Sequence, residues 1–128
     1  MQPLEGQSLS KFQEELFHIR YILIDEMRFI ALKMLTQIDA RLRQAFPSKS
    51  TSPFGGCSII LLGDFGQLLP IKDIPMYVGS SIGTAIWRTF DTFITLETIF
   101  RQQGNSPSET SFRQLLLNLR NATPTIEY

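Results

Sequence analysis

Residues Tyr21-Ile22-Leu23-Ile24-Asp25-Glu26 constrain this chain most, because four apolar residues run without a break into two adjacent carboxylates. A strand covered on both faces is written as a continuous apolar run rather than an alternating one. In open α/β sheets, ligands bind beyond the carboxyl ends of the strands. Asp25 and Glu26 are therefore expected at such an edge. Two carboxylates there suit nucleotide hydrolysis, one holding Mg²⁺ and the other activating water. Taken alone, the string fits a strand ending in two solvated acids equally well.

A second segment repeats the pattern. Ser58-Ile59-Ile60-Leu61-Leu62 leads to Gly63-Asp64, followed by Phe65-Gly66-Gln67-Leu68-Leu69-Pro70. Gly63 and Gly66 permit close backbone approach or positive φ. Gln67 offers a donor and an acceptor without charge, which suits contact with a phosphate or an attacking water. Pro70 ends any regular element. A third apolar run, Phe93-Ile94-Thr95-Leu96, precedes Phe100-Arg101-Gln102 and places a fixed cation beyond another expected strand.

Hydrophobic spacing organises the rest. Ser10-Lys11-Phe12-Gln13 reads as a capping box opening a helix, with Leu9, Phe12, Leu16 and Ile19 at helical intervals. Met27, Ile30, Ala31, Met34, Leu35, Ile38, Leu42 and Ala45 predict one long amphipathic helix stopped near Pro47, its methionines serving as core material. Ser48 to Pro53 is a polar loop and the segment most disposed to local disorder. Ile82, Ala85, Ile86 and Phe90 predict a short helix carrying Trp87. Ser106-Pro107-Ser108-Glu109 combines an N-cap, a proline at the first helical position and a glutamate close behind. It opens a helix whose apolar residues are Phe112, Leu115, Leu116 and Leu119. Strands alternating with helices, the strands too apolar to be half exposed, predict an α/β fold with a parallel sheet and flanking helices.

These segments resemble three motifs of the Pif-one family of ATP-dependent DNA helicases, shared by the helicase domains of Helitron transposons. Tyr21–Ile30 looks like its Asp-Glu motif, Pro53–Pro70 like its Gly-Asp-Phe-x-Gln-Leu-x-Pro motif, and Leu96–Gln102 like its Arg-Gln motif. Spacers around Ile38–Gln44, Phe54-Gly55-Gly56 and Asp73–Tyr77 are similar as well, so the likeness runs from about Leu9 to Thr125. It implies a partial RecA-like P-loop NTPase domain, residues 1–128 forming the later part of the first motor domain. It also implies ATP and Mg²⁺ as cofactors and DNA, single-stranded or at duplex junctions, as partner.

By the same resemblance Asp25 holds Mg²⁺, Glu26 is the general base, Gln67 senses the γ-phosphate, Asp64 orders that loop, and Arg101 neutralises phosphoryl charge. Movement 5′ to 3′, roles in repair, recombination and telomere maintenance, and a nuclear or mitochondrial setting are implied in the same way. Two residues depart from the pattern. Leu69 replaces a second proline. Arg28 stands where the family has serine; it either pairs with Glu26 or points to the surface of the following helix, and the helical reading favours the surface. The phosphate-binding string G-x-x-x-x-G-K-S/T does not occur in these 128 residues. The segment alone is therefore expected to be inactive, and a remnant without enzymatic function is the alternative reading.

Composition sets further bounds. With 43% hydrophobic residues there is material for one core, and no stretch approaches a membrane span. The N-terminal residues lack the pattern of a signal peptide. One cysteine, Cys57, forms no internal disulfide and fits an intracellular setting; without a partner in sequence it reads as a packing residue. One histidine leaves no scope for His-rich metal sites. Net charge is zero, with 12 basic and 12 acidic residues and no evident basic patch, so DNA contact is implied by resemblance alone.

Overall fold

The computed structural model describes residues 2–66, 73–79, 82–98, 100, 104 and 106–121, which leaves Gln67 and Arg101 outside the described residues. They fall into two units, Met1–Asp91 and Thr92–Tyr128.

The first unit is built on two parallel strands, β1 (Tyr21–Ile24) and β2 (Ser58–Leu61), paired Tyr21 to Ser58 through Ile24 to Leu61. Parallel neighbours need a long crossover. Here it contains helix α2 (Leu32–Ala45), which buries Leu32, Leu35, Asp39, Leu42 and Ala45 along one stripe. Helix α1 (Gly6–Leu16) precedes β1, and its Gln13 side chain donates to the Gln44 carbonyl near the end of α2 at 2.8 Å. Helix α3 (Ile82–Trp87) packs on α2, with Gly83 against Leu32. Leu35, Leu42, Phe54, Cys57, Met76 and Ile86 form the buried core, with Ile22, Ile59 and Leu61 of the sheet packed against it.

Several expectations change in the structure. The strands are covered on one face only: Tyr21, Leu23 and Ile60 are 65%, 63% and 43% exposed, because α2 takes one side and no described residue closes the other. Helix α1 starts four residues before Ser10, whose hydroxyl donates back to the Gly6 carbonyl instead of capping. The long helix after Glu26 is broken. Met27–Phe29 forms a 3₁₀ turn, and Ile30 and Ala31 are extended. There Ala31 bridges Pro75 and the Leu32 amide donates to the Ile74 carbonyl, so tertiary pairing overrides helical spacing. Met34, expected in the core, lies off the buried stripe of α2 and is 46% exposed.

The polar loop expected to be disordered instead folds into 3₁₀ turns at Pro47–Lys49 and Pro53–Gly56. Its anchor is Asp39, buried on α2, which accepts from the Phe54 amide at 2.6 Å and from Arg43 Nε at 2.7 Å. Phe54 and Gly55 are left-handed, with φ of 53° and 60°. A Cβ on Gly55 would sit 2.4 Å from the Leu42 carbonyl oxygen, so only glycine lets the turn lie flat on α2. In the sequence Asp39 lies within the Ile38–Gln44 spacer, and its one local signal is Arg43 four residues on along the helix.

In the second unit, Phe93, Ile94 and Leu96 are 89%, 85% and 87% exposed and irregular, not the expected strand. A strand exists only through its ladder, and these residues have no ladder partner among the described residues. Helix α4 (Pro107–Arg120) opens as predicted, with a complete capping box between Ser106 and Glu109. Hydrogen bonds from Ser106 hold the Glu109 carboxyl below its ordinary range. No described helix is long and apolar enough to cross a membrane.

Asp39→Ala is expected to destabilise the protein by about 2–3 kcal/mol, because it orphans the buried Phe54 amide and removes a charge-assisted bond. Urea unfolding checks this, and a loss below about 0.5 kcal/mol would remove Asp39 as the anchor of the turn.

Candidate active site at the carboxyl edge of the sheet

Beyond the paired residues the ladder runs on by two bonds: Leu62 N donates to Ile24 O at 2.8 Å, and Met27 N donates to Leu62 O at 2.9 Å. Asp25-Glu26 and Gly63-Asp64 therefore leave the sheet side by side at the carboxyl edge. Gly63 has φ of 149°, and a Cβ there would lie 3.0 Å from the Met27 amide nitrogen. Glycine is required where the two exits touch.

Asp25 is exposed, and its Oδ1 accepts from the Glu26 amide at 2.8 Å. Glu26 is left-handed, φ 53° and ψ 48°, a conformation that non-glycine residues seldom adopt outside constrained sites. Asp64 Oδ1 accepts from Gly66 N at 2.9 Å and so shapes the turn that leads into Gln67. The structure thus brings together Asp25, Glu26 and Asp64, while Gln67 and Arg101 fall among the residues it does not describe.

Arg28 departs from its expected surface position. Its side chain is 18% exposed, its Nε lies 3.1 Å from Glu26 Oε2, and its guanidinium sits 4.5 Å from the Phe29 ring centre. It lines a narrow crevice with Met27, Ile30, Phe65, Pro75 and Tyr77. The short 3₁₀ turn is the cause, since it points Arg28 back toward Glu26 where a regular helix would have carried it outward.

No cluster of three or more His, Cys, Asp or Glu that suits a metal occurs among the described residues. One exposed carboxylate with an oxygen already engaged fits Mg²⁺ only in the manner of phosphate-bound Mg²⁺, which keeps waters and needs few protein ligands. The donor set at Asp25 is compatible with that role. A larger groove, about 460 Å³, is lined by Phe17, Arg20, Phe46, Lys49 and Cys57. Arg20 and Cys57 immediately precede the two strands, so this groove lies at the amino edge, away from where parallel sheets bind ligands. Burial pushes the Cys57 thiol up, in keeping with a packing role.

A parallel strand–helix–strand unit that delivers adjacent acids and a Gly-Asp turn to one edge is part of an α/β domain, and its likeness to solved Pif1 helicases makes it part of a RecA-like one. The model of the family described as PIF1-like helicase matches residues 5–126, and the chain belongs to that family. It is 35% identical over 94 residues to the ATP-dependent DNA helicase RRM3 of Saccharomyces cerevisiae, covering 69% of this chain and 12% of that protein. It is 31% identical over 114 residues to the ATP-dependent DNA helicase PIF1 of Candida albicans, covering 79% and 12%. Bacteroides Pif1 bound to ssDNA superposes with a TM-score of 0.65 at 26% identity, over 98% of this chain and 29% of that one. Bacteroides Pif1 in complex with ADP-AlF3 and ssDNA gives the same TM-score at 28% identity, again over 98% and 29%. The chain thus spans about an eighth of the curated relatives' length.

Gly63→Ala is expected to cost about 1–3 kcal/mol, since a Cβ strains the backbone and pushes on the Met27–Leu62 bond. A urea melt reads the loss; an unchanged midpoint would show that the two exits are not in obligatory contact.

Proposed function

We propose that this segment is the later part of the first RecA-like motor domain of an ATP-dependent DNA helicase, coupling Mg-ATP hydrolysis to unwinding. The observation that carries the proposal is the in-register strand pair that delivers Asp25-Glu26 and Gly63-Asp64 to the same carboxyl edge. Family membership and the relatives' names support the enzyme class, and the ssDNA named for Bacteroides Pif1 supports DNA as partner.

In this reading Asp25 would hold Mg²⁺, which would supply charge neutralisation at the phosphates. Glu26 takes the proton from the attacking water. Asp64 orders the turn that presents Gln67 to the γ-phosphate. Arg101 neutralises charge on the phosphoryl oxygens as the bond breaks. Translocation 5′ to 3′, service in repair, recombination and telomere maintenance, and a place in the nucleus or mitochondrion belong to the same proposal and rest on resemblance.

The contrary reading, a remnant without activity, is favoured by the cation held against Glu26. Both readings meet in a helicase in which this segment replaces the matching part of Bacteroides Pif1. DNA-stimulated phosphate release from that chimaera supports the motor, and its absence supports the remnant. The 128-residue chain by itself, which contains no phosphate-binding string, is expected to release none.

Glu26→Gln in the chimaera is expected to leave ATP binding intact and slow hydrolysis roughly 10²–10⁴-fold, the scale for losing a positioned base. Near-normal steady-state turnover would remove Glu26 from the role. Arg101→Lys is expected to impair hydrolysis almost as much as Arg101→Ala, because lysine lacks the planar fork. Recovery of most activity by lysine would reduce the requirement to simple charge.

A further inference from the structure

Of the two departures from the motif pattern, Arg28 is the one that carries a charge beside the candidate site, and the proposed mechanism does not use it. It reaches Glu26, yet its place is unlike that of a surface ion pair. The side chain is mostly buried, stacked on Phe29 and wedged beside Phe65 and Tyr77, whose rings meet 4.9 Å apart. Nε is buried and lies 3.1 Å from Glu26 Oε2, but the contact is off-line and forms no well-directed hydrogen bond. An ionic contact without good direction is held more by the crevice than by the carboxylate. Glu26 in turn stays half exposed, its side chain 52% open to solvent.

We infer that Arg28 is a positioning residue that restrains Glu26: it holds one carboxylate oxygen in an ion pair that must open before Glu26 can accept a proton from water. The inference rests on the motor reading above. Three features support it. Glu26 has two oxygens, and the general-base role needs one aimed at water; the guanidinium draws Oε2 toward the crevice instead. The pair is fixed from the Arg28 side, because the packed crevice leaves the arginine few alternatives. It is also weak enough to open, since partial exposure of Glu26 screens the attraction. Because the crevice holds Arg28, the pair opens by rotation of the half-exposed Glu26 side chain away from the guanidinium. The arrangement predicts slow turnover without nucleotide-induced rearrangement.

The chimaeric helicase tests this. Arg28→Ser is expected to raise kcat about two- to fivefold, the range a partly exposed ion pair supports, with KM for ATP little changed. Arg28→Lys, which keeps the charge but loses Nε, is expected to raise it less. In a Glu26→Gln background Arg28→Ser is expected to add nothing, because the two residues act as one unit. A purely structural role would not produce that dependence on Glu26. A second readout needs no turnover: the Arg28 Nε–H resonance of the nucleotide-free protein is expected to shift in Glu26→Gln. A chimaera that hydrolyses ATP but is not accelerated by Arg28→Ser overturns the inference and leaves the motor reading standing. If neither wild type nor Arg28→Ser hydrolyses ATP, both fall.

Discussion

The parallel pairing of β1 with β2 is the constraint on which the candidate site depends. Side chains alternate along a strand, so a slip of β2 by one residue would turn Ile59 and Leu61 away from the core that Ile22 faces. The same slip would separate Glu26 from Gly63. Register is therefore set by burial, and the chemistry at the carboxyl edge inherits it. The two ladder bonds beyond the strands, through Leu62, carry the register into the loops and bring two acidic exits together.

Crossover geometry makes that pairing possible. Between the strands the chain must traverse α2 and return to the level of Tyr21. The return is accomplished by the left-handed Phe54-Gly55 turn lying on the Leu42 carbonyl, with Asp39 satisfying the Phe54 amide from beneath. A buried carboxylate is costly to desolvate. Here it is compensated by a backbone donor and Arg43, and the compensation fixes where β2 begins. Phe54 then joins Phe90 edge to face at 5.7 Å, and Trp87 links Phe90 to Phe65, tying the turn before β2 to the loop after it through aromatic contacts.

The site itself departs from low-energy geometry. Glu26 occupies a left-handed conformation, Gly63 tolerates a contact no side chain would allow, and Arg28 is drawn inward by a 3₁₀ turn. Strain at such a position persists only where surrounding structure over-determines it. The surroundings here are the extended Ile30-Ala31 pair, with Ala31 bridged to Pro75 and the next amide, Leu32 N, donating to the Ile74 carbonyl, which stops the helix from starting early and confines Met27–Phe29 to a single tight turn.

Sequence alone determined the α/β class, both strands, the carboxyl-edge placement of Asp25 and Glu26, and the cap of α4. Each is encoded locally, in an apolar run, a run's end, or a capping box. The assignment to a helicase family was legible in the same way, since three ordered motifs lie along the chain in linear sequence. Tertiary structure decided the rest. The break between Glu26 and Leu32 is invisible in the spacing, because the Ile74–Pro75 segment that causes it lies some forty residues away. Asp39 gives no sign in the sequence of being buried, because its partner, the Phe54 amide, lies fifteen residues on. The strand expected at Phe93–Leu96 has the right residues but no ladder partner, and β-structure requires one. Arg28 turned inward for the same reason: side-chain direction follows the backbone, and here that backbone is set by contacts from outside its own segment.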